Sequence, residues 1–157
     1  MKKAGALLIS ILILIVLFHS VIYVVNNFIA MGMERQLRNC QLPPESEMIE
    51  SASVAGKVLG GGNGMQWYGI LLIRSDMSEE ELLQWYKSHM NPAENEEIYV
   101  IRQEGPEMFE YGEWRFHSYP DNGPCYQIQL FRNLAVGTES SIWESLLNHT
   151  LQELLQR

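Results

Sequence analysis

One group of residues in this sequence has the types that hydrolytic chemistry requires: His117, Ser118 and Asp121. Such a reaction needs a nucleophile, a base and an orienting group within reach of one another. Neighbouring residues of a strand point to opposite faces of the sheet, so His117 and Ser118 are poorly placed to act together. No Gly-x-Ser-x-Gly elbow accompanies them. We therefore assign no catalytic residue, and we keep a cell-envelope hydrolase built around His117 and Asp121 as an alternative hypothesis.

A second candidate is the glycine cluster at residues 60–64, whose composition is that of a phosphate-binding loop. Such a loop must open a helix whose backbone amides point at the anion, and Lys-Ser or Lys-Thr commonly ends it. Here a strand-like segment with Trp67 and Tyr68 follows instead. The cluster therefore predicts the turn of a β-hairpin.

Metal binding requires His, Cys, Asp or Glu side chains at spacings that bring them together. His89, His117 and His149 fall on different predicted elements, without the short spacing of zinc ligands. The acidic runs within residues 79–81 and 94–97 are explained by the start of a helix and by a solvated loop. We predict no metal site and no other cofactor.

The two cysteines, Cys40 and Cys125, stand far apart in the sequence. They could form one disulfide if the domain lies outside the cell membrane, where oxidation is possible. In a reducing compartment both would be free thiols. Because the sequence does not give the distance between them, their pairing stays open.

The elements that must position these residues begin with a membrane segment. The 28 residues from Ala4 to Met31 contain no Asp, Glu, Lys or Arg, and 22 of them are hydrophobic. The part from Ala4 to Val25 would be roughly 33 Å long as a helix, against about 30 Å of hydrocarbon in a bilayer. In lipid the backbone must satisfy its own hydrogen bonds, so this segment is predicted to be helical. Its predicted partner is the lipid bilayer, through residues 4–31.

A cleaved signal peptide is the alternative for this segment, because Lys2 and Lys3 precede an apolar run. That run is longer than the usual apolar region of a signal peptide. No small-x-small cleavage site follows it, since Ala30 stands two positions after the bulky Phe28. Cys40 lies too far from the run for a lipoprotein site. We therefore predict an uncleaved, single-pass signal anchor.

Charge bears on the orientation and on the partners of the protein. Lys2 and Lys3 precede the span while Arg35 and Arg38 follow it, a near balance that slightly favours a cytoplasmic N-terminus and a domain outside. From Met33 onward there are 19 acidic and 9 basic residues, a net charge of -10. This acidic balance disfavours binding to nucleic acid and to anionic lipid surfaces.

The rest of the chain has the composition of a single globular domain, with about 50 hydrophobic residues in 129 positions. Its pattern predicts the element order ββαβββα. The strands are expected at 47–59, 65–74, 97–103, 108–119 and 125–132, and the helices from the Ser78 cap to Met90 and at 139–155. All four tryptophans fall in this part, at 67, 85, 114 and 143, and are predicted to pack in the core.

The predicted fold class is α+β, with an N-terminal transmembrane helix followed by a small antiparallel sheet and two helices packed on one face. We expect residues 1–32 to form the anchor, 33–46 a juxtamembrane linker and 47–157 the α+β domain. In the absence of a convergent catalytic set, we expect a non-enzymatic interaction or accessory module whose partner is a membrane or envelope protein. The alternatives are the hydrolase and a ligand-sensing domain that uses the exposed face of the final helix.

Overall fold

A computed structural model describes residues 2–56, 65–109, 114–120 and 122–134 of this protein. Within these ranges the elements are α1 (Lys2–Asn39), β1 (Glu47–Gly56), β2 (Met65–Arg74), α2 (Glu79–His89), β3 (Glu96–Gln103) and β4 (Cys125–Leu134). The four strands form one antiparallel sheet in the order β1-β2-β4-β3. The protein is thus α+β, with a long apolar N-terminal helix, a small antiparallel sheet and a second helix, as the sequence predicts.

One predicted strand, at residues 108–119, does not join the sheet in its described part. Only a single bridge pairs Glu107 with Arg115 there. Phe109 and Phe116 are instead buried against one face of the sheet. Burial of these apolar side chains therefore stabilises the segment more than pairing as another strand of the sheet would. The predicted hairpin turn at 60–64 and the predicted helix at 139–155 lie outside the described residues.

Helix α1 contains the one stretch in the described residues, Gly5–Asn39, that is long and apolar enough to span a membrane by length and composition. It does not end where the apolar run ends. Five residues of its second half are buried at alternating spacings of three and four: Tyr23, Asn26, Ala30, Met33 and Leu37. This spacing places them on one side of a helix. The same helix is therefore exposed on all sides in its first half and packed along one side in its second.

Residues 33–39, expected to belong to a polar linker, form the last turns of α1. Met33 and Leu37 are almost completely buried against the sheet. The linker prediction missed this contact because only two apolar residues stand among polar ones, too few to give a periodic signal on their own. The chain leaves the helix only at Cys40, and Pro43 follows shortly after.

Helix α1 crosses β1 and β2 at small residues that let its backbone come close. A Cβ atom added at Gly69 of β2 would lie 2.4 Å from the backbone nitrogen of Glu34 and from the carbonyl carbon of Met33. Ser53 of β1 pairs with Gly69 in the sheet. Two pairs further along the sheet, the hydroxyl of Ser51 donates to Glu34 Oε1 at 2.6 Å. These contacts bind the helix directly to the backbone of the sheet.

The sheet has two covered faces. We call the side under α1 and α2 the helix face, and the side under residues 104–109 and 114–120 the loop face. The helix face carries the larger core, which includes Leu71, Ile73, Leu82, Tyr86, Tyr126, Ile128 and Leu130. The loop face carries a second core, which includes Val54, Tyr68, Ile70, Leu72, Met108, Phe109 and Phe116. Strand β2 therefore has core residues on both of its faces, which explains its nearly continuous apolar sequence.

Helix α2 begins at the predicted capping box. The backbone amide of Glu81 donates to the Ser78 hydroxyl at 3.3 Å, and the Ser78 amide donates to the Glu81 carboxylate at 2.8 Å. The helix ends at His89, before Asn91 and Pro92, also as predicted. Its buried residues, Leu82 and Tyr86, lie four positions apart and face the sheet.

We expect replacement of Ser78 by alanine to lower the free energy of unfolding by about 1 kcal/mol at neutral pH, the usual effect of losing an N-cap. Hydrogen bonds from the Ser78 amide and hydroxyl lower the pKa of the Glu81 carboxyl below its ordinary value of 4.5. A carboxyl with a depressed folded-state pKa stabilises the protein above its unfolded-state pKa, and this contribution is lost as pH falls through the folded-state pKa.

The effect of Ser78→Ala should therefore shrink on acidification. Urea unfolding of both chains at pH 7 and at about pH 3 measures this difference. A difference that is the same at both pH values would contradict the pairing of Ser78 with Glu81.

Candidate functional site

A groove of about 820 Å³ opens on the loop face, between β3 and residues 104–109. Ile101, Met108 and Phe109 supply apolar walls, and Gln103 and Gln129 supply polar groups. This volume falls within the range of pockets that hold small ligands, and an apolar lining with a few polar groups is typical of them. The groove is the strongest candidate for a binding site on this face.

Three glutamines stand together beneath the groove. Gln127 is completely buried and Gln129 is 5% exposed, both on the loop face of β4 as their alternation with Ile128 and Leu130 predicts. Gln103 Nε2 donates to Gln127 Oε1 at 2.6 Å, and Gln127 Nε2 has no hydrogen-bond partner. A buried amide without a partner destabilises a fold by an amount comparable to a lost hydrogen bond. The Gln127 side-chain amide therefore retains one free hydrogen-bonding group close to the groove.

The assignment of oxygen and nitrogen in the Gln103 amide follows from the hydrogen bonds around it. Turned by 180°, this amide would donate to the backbone carbonyl oxygens of Glu107 at 2.9 Å and Gly105 at 3.2 Å. Those bonds would tie the 104–109 segment to β3, and the hydrogen bond with Gln127 is kept at 2.6 Å when the Gln127 amide is turned as well, so that its nitrogen donates to the Gln103 oxygen. In either orientation Gln103 links the wall of the groove to its floor.

Aromatic rings extend the groove along the loop face. Tyr68 packs against Phe109 and Phe131, with ring centroids 5.0 and 4.9 Å apart. Burial raises the pKa of Tyr68 to about 12, so its hydroxyl stays protonated, and this hydroxyl has no hydrogen-bond partner. Tyr99 and Ile101 on β3 are each 42% exposed on the same face. The result is an apolar surface that continues from the groove to the edge strand of the described sheet.

The predicted hydrolytic group is held by its backbone rather than by its side chains. The backbone amides of His117 and Ser118 both donate to Glu50 Oε2 at 2.8 Å. The His117 side chain is exposed and makes no hydrogen bond within the described ranges. Asp121 lies outside those ranges, so the structure does not bring the three residues together. What the arrangement does is fasten the 114–120 segment to β1.

We expect Glu50→Ala to lower the free energy of unfolding by about 2 kcal/mol, because it leaves two backbone amides without their charged acceptor. His117→Ala is the matched control and should change the value by less than about 0.5 kcal/mol, since no contact of its side chain is lost. Urea unfolding followed by tryptophan fluorescence measures both. Equal destabilisation by the two substitutions would contradict this role of Glu50.

The acidic runs have structural partners. Glu79 accepts a hydrogen bond from the backbone amide of Arg102 at 3.0 Å, which fixes α2 to the end of β3. Glu96 is buried, pairs with Arg132 and accepts from the amide of Ala93 at 2.8 Å. Among residues 2–56, 65–109, 114–120 and 122–134, no group of three or more His, Cys, Asp or Glu side chains could hold a metal ion.

Cys40 and Cys125 are free thiols on opposite faces of the sheet. Cys40 packs at the edge of the helix-face core, and Cys125 is buried in the loop-face core. The sheet lies between them, so they form no disulfide. Burial raises the pKa of both thiols, and Arg74 offsets part of the shift at Cys125. A raised thiol pKa and restricted access both slow reaction with external reagents.

Tryptophans serve packing in the described domain, as the sequence predicts. Trp67 is 3% exposed in the helix-face core, and Trp114 packs against the loop-face core. Trp85 is half-buried, stacks on His89 and donates from Nε1 to the carbonyl oxygen of Gln41 at 3.0 Å. Trp143 lies outside the described residues.

No protein-family model, curated protein or solved structure matches this chain, so its function is inferred from the geometry above.

Proposed function

We propose that this protein is a single-pass membrane protein whose acidic α+β domain lies at the outer surface of the cell membrane and acts as a non-enzymatic interaction module. The observation that carries this proposal is the continuity of α1. One helix supplies both the apolar stretch and a packed side of the domain, without a break between them. The partner we infer is another membrane or envelope protein.

The first half of α1 supports insertion in a bilayer. Its large apolar side chains from Leu7 to Phe18 are between 39% and 68% exposed, and none of its most apolar window is buried inside the protein. A core helix of a soluble domain would be mostly buried. An exposed apolar surface of this size is unfavourable in water, and a bilayer would cover it.

The second half of α1 supports a fixed position of the domain relative to the membrane. Gly69 and Ser51 hold the helix at Met33 and Glu34, only a few residues beyond the apolar stretch. A helix rises about 1.5 Å per residue, so this contact is roughly 8 to 9 Å from Phe28 along the axis. A domain fastened so close to the bilayer cannot swing as it would on a flexible linker. Its partners would therefore be those within reach of the membrane surface.

The experiment that tests location and orientation uses an introduced cysteine at an exposed position of α2. In intact cells, Lys87→Cys should react with a membrane-impermeant maleimide. The wild-type chain is the control, since its Cys40 is half-buried and its Cys125 buried. Labelling of Lys87→Cys only after permeabilisation would overturn the outward orientation, and extraction of the chain by alkaline carbonate would overturn membrane insertion.

The groove and the exposed part of β3 supply the inferred contact surface. A photo-crosslinking residue in place of Tyr99 should give a discrete adduct with one membrane or envelope protein, identified by mass spectrometry. The same residue in place of Gln84, exposed on α2, is the control and should not give that adduct. Ile101→Glu should abolish the Tyr99 adduct. Adducts of equal yield from both positions would contradict this surface.

A second candidate function, a ligand-binding domain, is favoured by the size of the groove and by the unpartnered amide of Gln127. A ligand should raise the melting temperature of the full chain, and Gln129→Met should abolish the shift by removing a polar group at nearly constant volume. A broad screen without any shift would count against it. The hydrolase and the sensor built on the final helix remain predictions from the sequence.

A further inference from the structure

A cleft of about 500 Å³ with both polar and apolar lining lies between the last turns of α1 and the end of α2. Its lining includes Gly32, Arg35, Gln36 and Asn39 from α1, with His89 and Asn91 from the end of α2. The cleft is on the part of α1 that follows the apolar stretch. It therefore stands close to the predicted membrane boundary along this helix.

The cleft holds hydrogen-bond donors without partners. Arg35 is exposed and forms no ion pair within the described residues, whereas Arg38 lies 3.8 Å from Glu34. The ring of His89 is fixed, because its Nδ1 lies 2.8 Å from the carbonyl oxygen of Trp85 and the two rings stack 3.9 Å apart. Gln36, Asn39 and Asn91 place carboxamides in the same cleft. A guanidinium beside carboxamides is a donor set that suits a phosphate group.

The side of α1 that lines the cleft continues into an exposed apolar stripe. Gly32, Arg35 and Asn39 recur at helical spacing, and one turn before them on the same side stands Phe28. Three residues of this side, Val21, Val25 and Phe28, are 61%, 49% and 66% exposed. No atom lies within 4 Å of a Cβ added at Gly32, so the helix surface is open where the stripe meets the cleft. An elongated molecule can therefore lie along the stripe with its polar end in the cleft.

We propose that this cleft binds the headgroup of an anionic phospholipid, with an acyl chain along Val21, Val25 and Phe28. Arg35 is seven residues beyond Phe28, about 10 Å along the helix, and its long side chain can reach back to the headgroup layer. The net charge of the domain disfavours general attraction to anionic lipid, so binding depends on these particular side chains. The inference rests on the proposed insertion of α1 in a membrane.

The experiment measures lipid binding to the full chain in a neutral maltoside detergent, by native mass spectrometry with added phosphatidylglycerol or phosphatidylcholine. Wild type should prefer phosphatidylglycerol. Arg35→Gln should weaken its binding about tenfold, the effect of losing one charge-assisted hydrogen bond. Arg38→Gln is the matched control, because Arg38 carries the same charge but does not line the cleft and already pairs with Glu34, and its loss should weaken binding less than about twofold. Gly32→Leu should also weaken binding by closing the opening.

Several results would overturn the site. Equal losses in Arg35→Gln and Arg38→Gln would indicate unspecific attraction, and equal binding of the two lipids would show no headgroup selection. Displacement of the lipid by millimolar inorganic phosphate would assign the cleft to free phosphate instead. Unchanged urea unfolding midpoints show that the variants fold. A chain that stays in the membrane after alkaline carbonate but lacks lipid preference refutes only this site, whereas release by carbonate refutes the insertion itself.

Discussion

Replacement of Gly69 by alanine is expected to lower the free energy of unfolding by about 3 kcal/mol, at the upper end of overpacking effects. The added Cβ would lie 2.4 Å from two backbone atoms of α1, at Glu34 and Met33. Because those atoms belong to a helix backbone, they cannot turn aside as a flexible side chain can. The helix must move away from β2, and the contacts of Met33 and Leu37 with the sheet would loosen together.

The control for this prediction is Gly32→Ala, one position before Met33 in the same helix. A Cβ at Gly32 meets no atom within 4 Å, so alanine should stabilise the helix by about 0.5 to 1 kcal/mol. Urea unfolding in detergent, followed by tryptophan fluorescence, reports on the domain because Trp67 lies in the helix-face core. A Gly69→Ala chain as stable as wild type would show that α1 does not rest on the sheet as described.

Replacement of Arg132 by methionine is expected to lower the free energy of unfolding by about 3 kcal/mol. Arg132 pairs with Glu96, whose side chain is 3% exposed. Without the guanidinium, the carboxylate of Glu96 stays buried with only the Ala93 amide as a hydrogen-bond donor. The cost arises from this uncompensated charge more than from the lost attraction, because a buried ion pair adds little net stability when it is intact.

Two comparisons test that explanation. The double variant Glu96→Gln with Arg132→Met removes both charges and should be more stable than Arg132→Met alone. Arg115→Met breaks an exposed pair with Glu107 at 3.3 Å and should change the free energy of unfolding by less than about 1 kcal/mol. If the double variant were no more stable than Arg132→Met, the buried charge of Glu96 would not be the cause.

Local signals explain why parts of the fold could be predicted. Strand β2 has the predicted bounds, because its apolar run lies between a glycine cluster and the polar residues after Arg74. Helix α2 also begins and ends where its sequence indicates, since Ser78, Glu81 and Pro92 act on the backbone within a few residues of themselves. The residues on each face of β4 could be predicted because apolar and polar residues alternate along most of this strand. Each of these features depends on neighbours in the sequence, so the sequence contains the information.

The candidate site could not be predicted in the same way. Gln103, Gln127 and Gln129 carry no motif, and they meet because β3 pairs with β4 in one particular register. Residues 108–119 gave a strand-like pattern, but Phe109 and Phe116 are buried against one face of the sheet, and the local pattern does not encode that contact. The cleft at Arg35 and His89 likewise joins two helices that are far apart in sequence.

The sequence by itself determined an apolar N-terminal helix of membrane-spanning length, an acidic domain of the α+β class, the assignment of β4 residues to its two faces and the N-cap of α2. These depend on composition and on short-range periodicity. Only the tertiary structure decided that α1 continues without a break into the domain, that the cysteines lie on opposite faces and that the groove and the cleft form. The physical reason is visible at Gly69. A glycine inside a strand has no local meaning until another backbone packs against it, and that contact depends on residues more than thirty positions away.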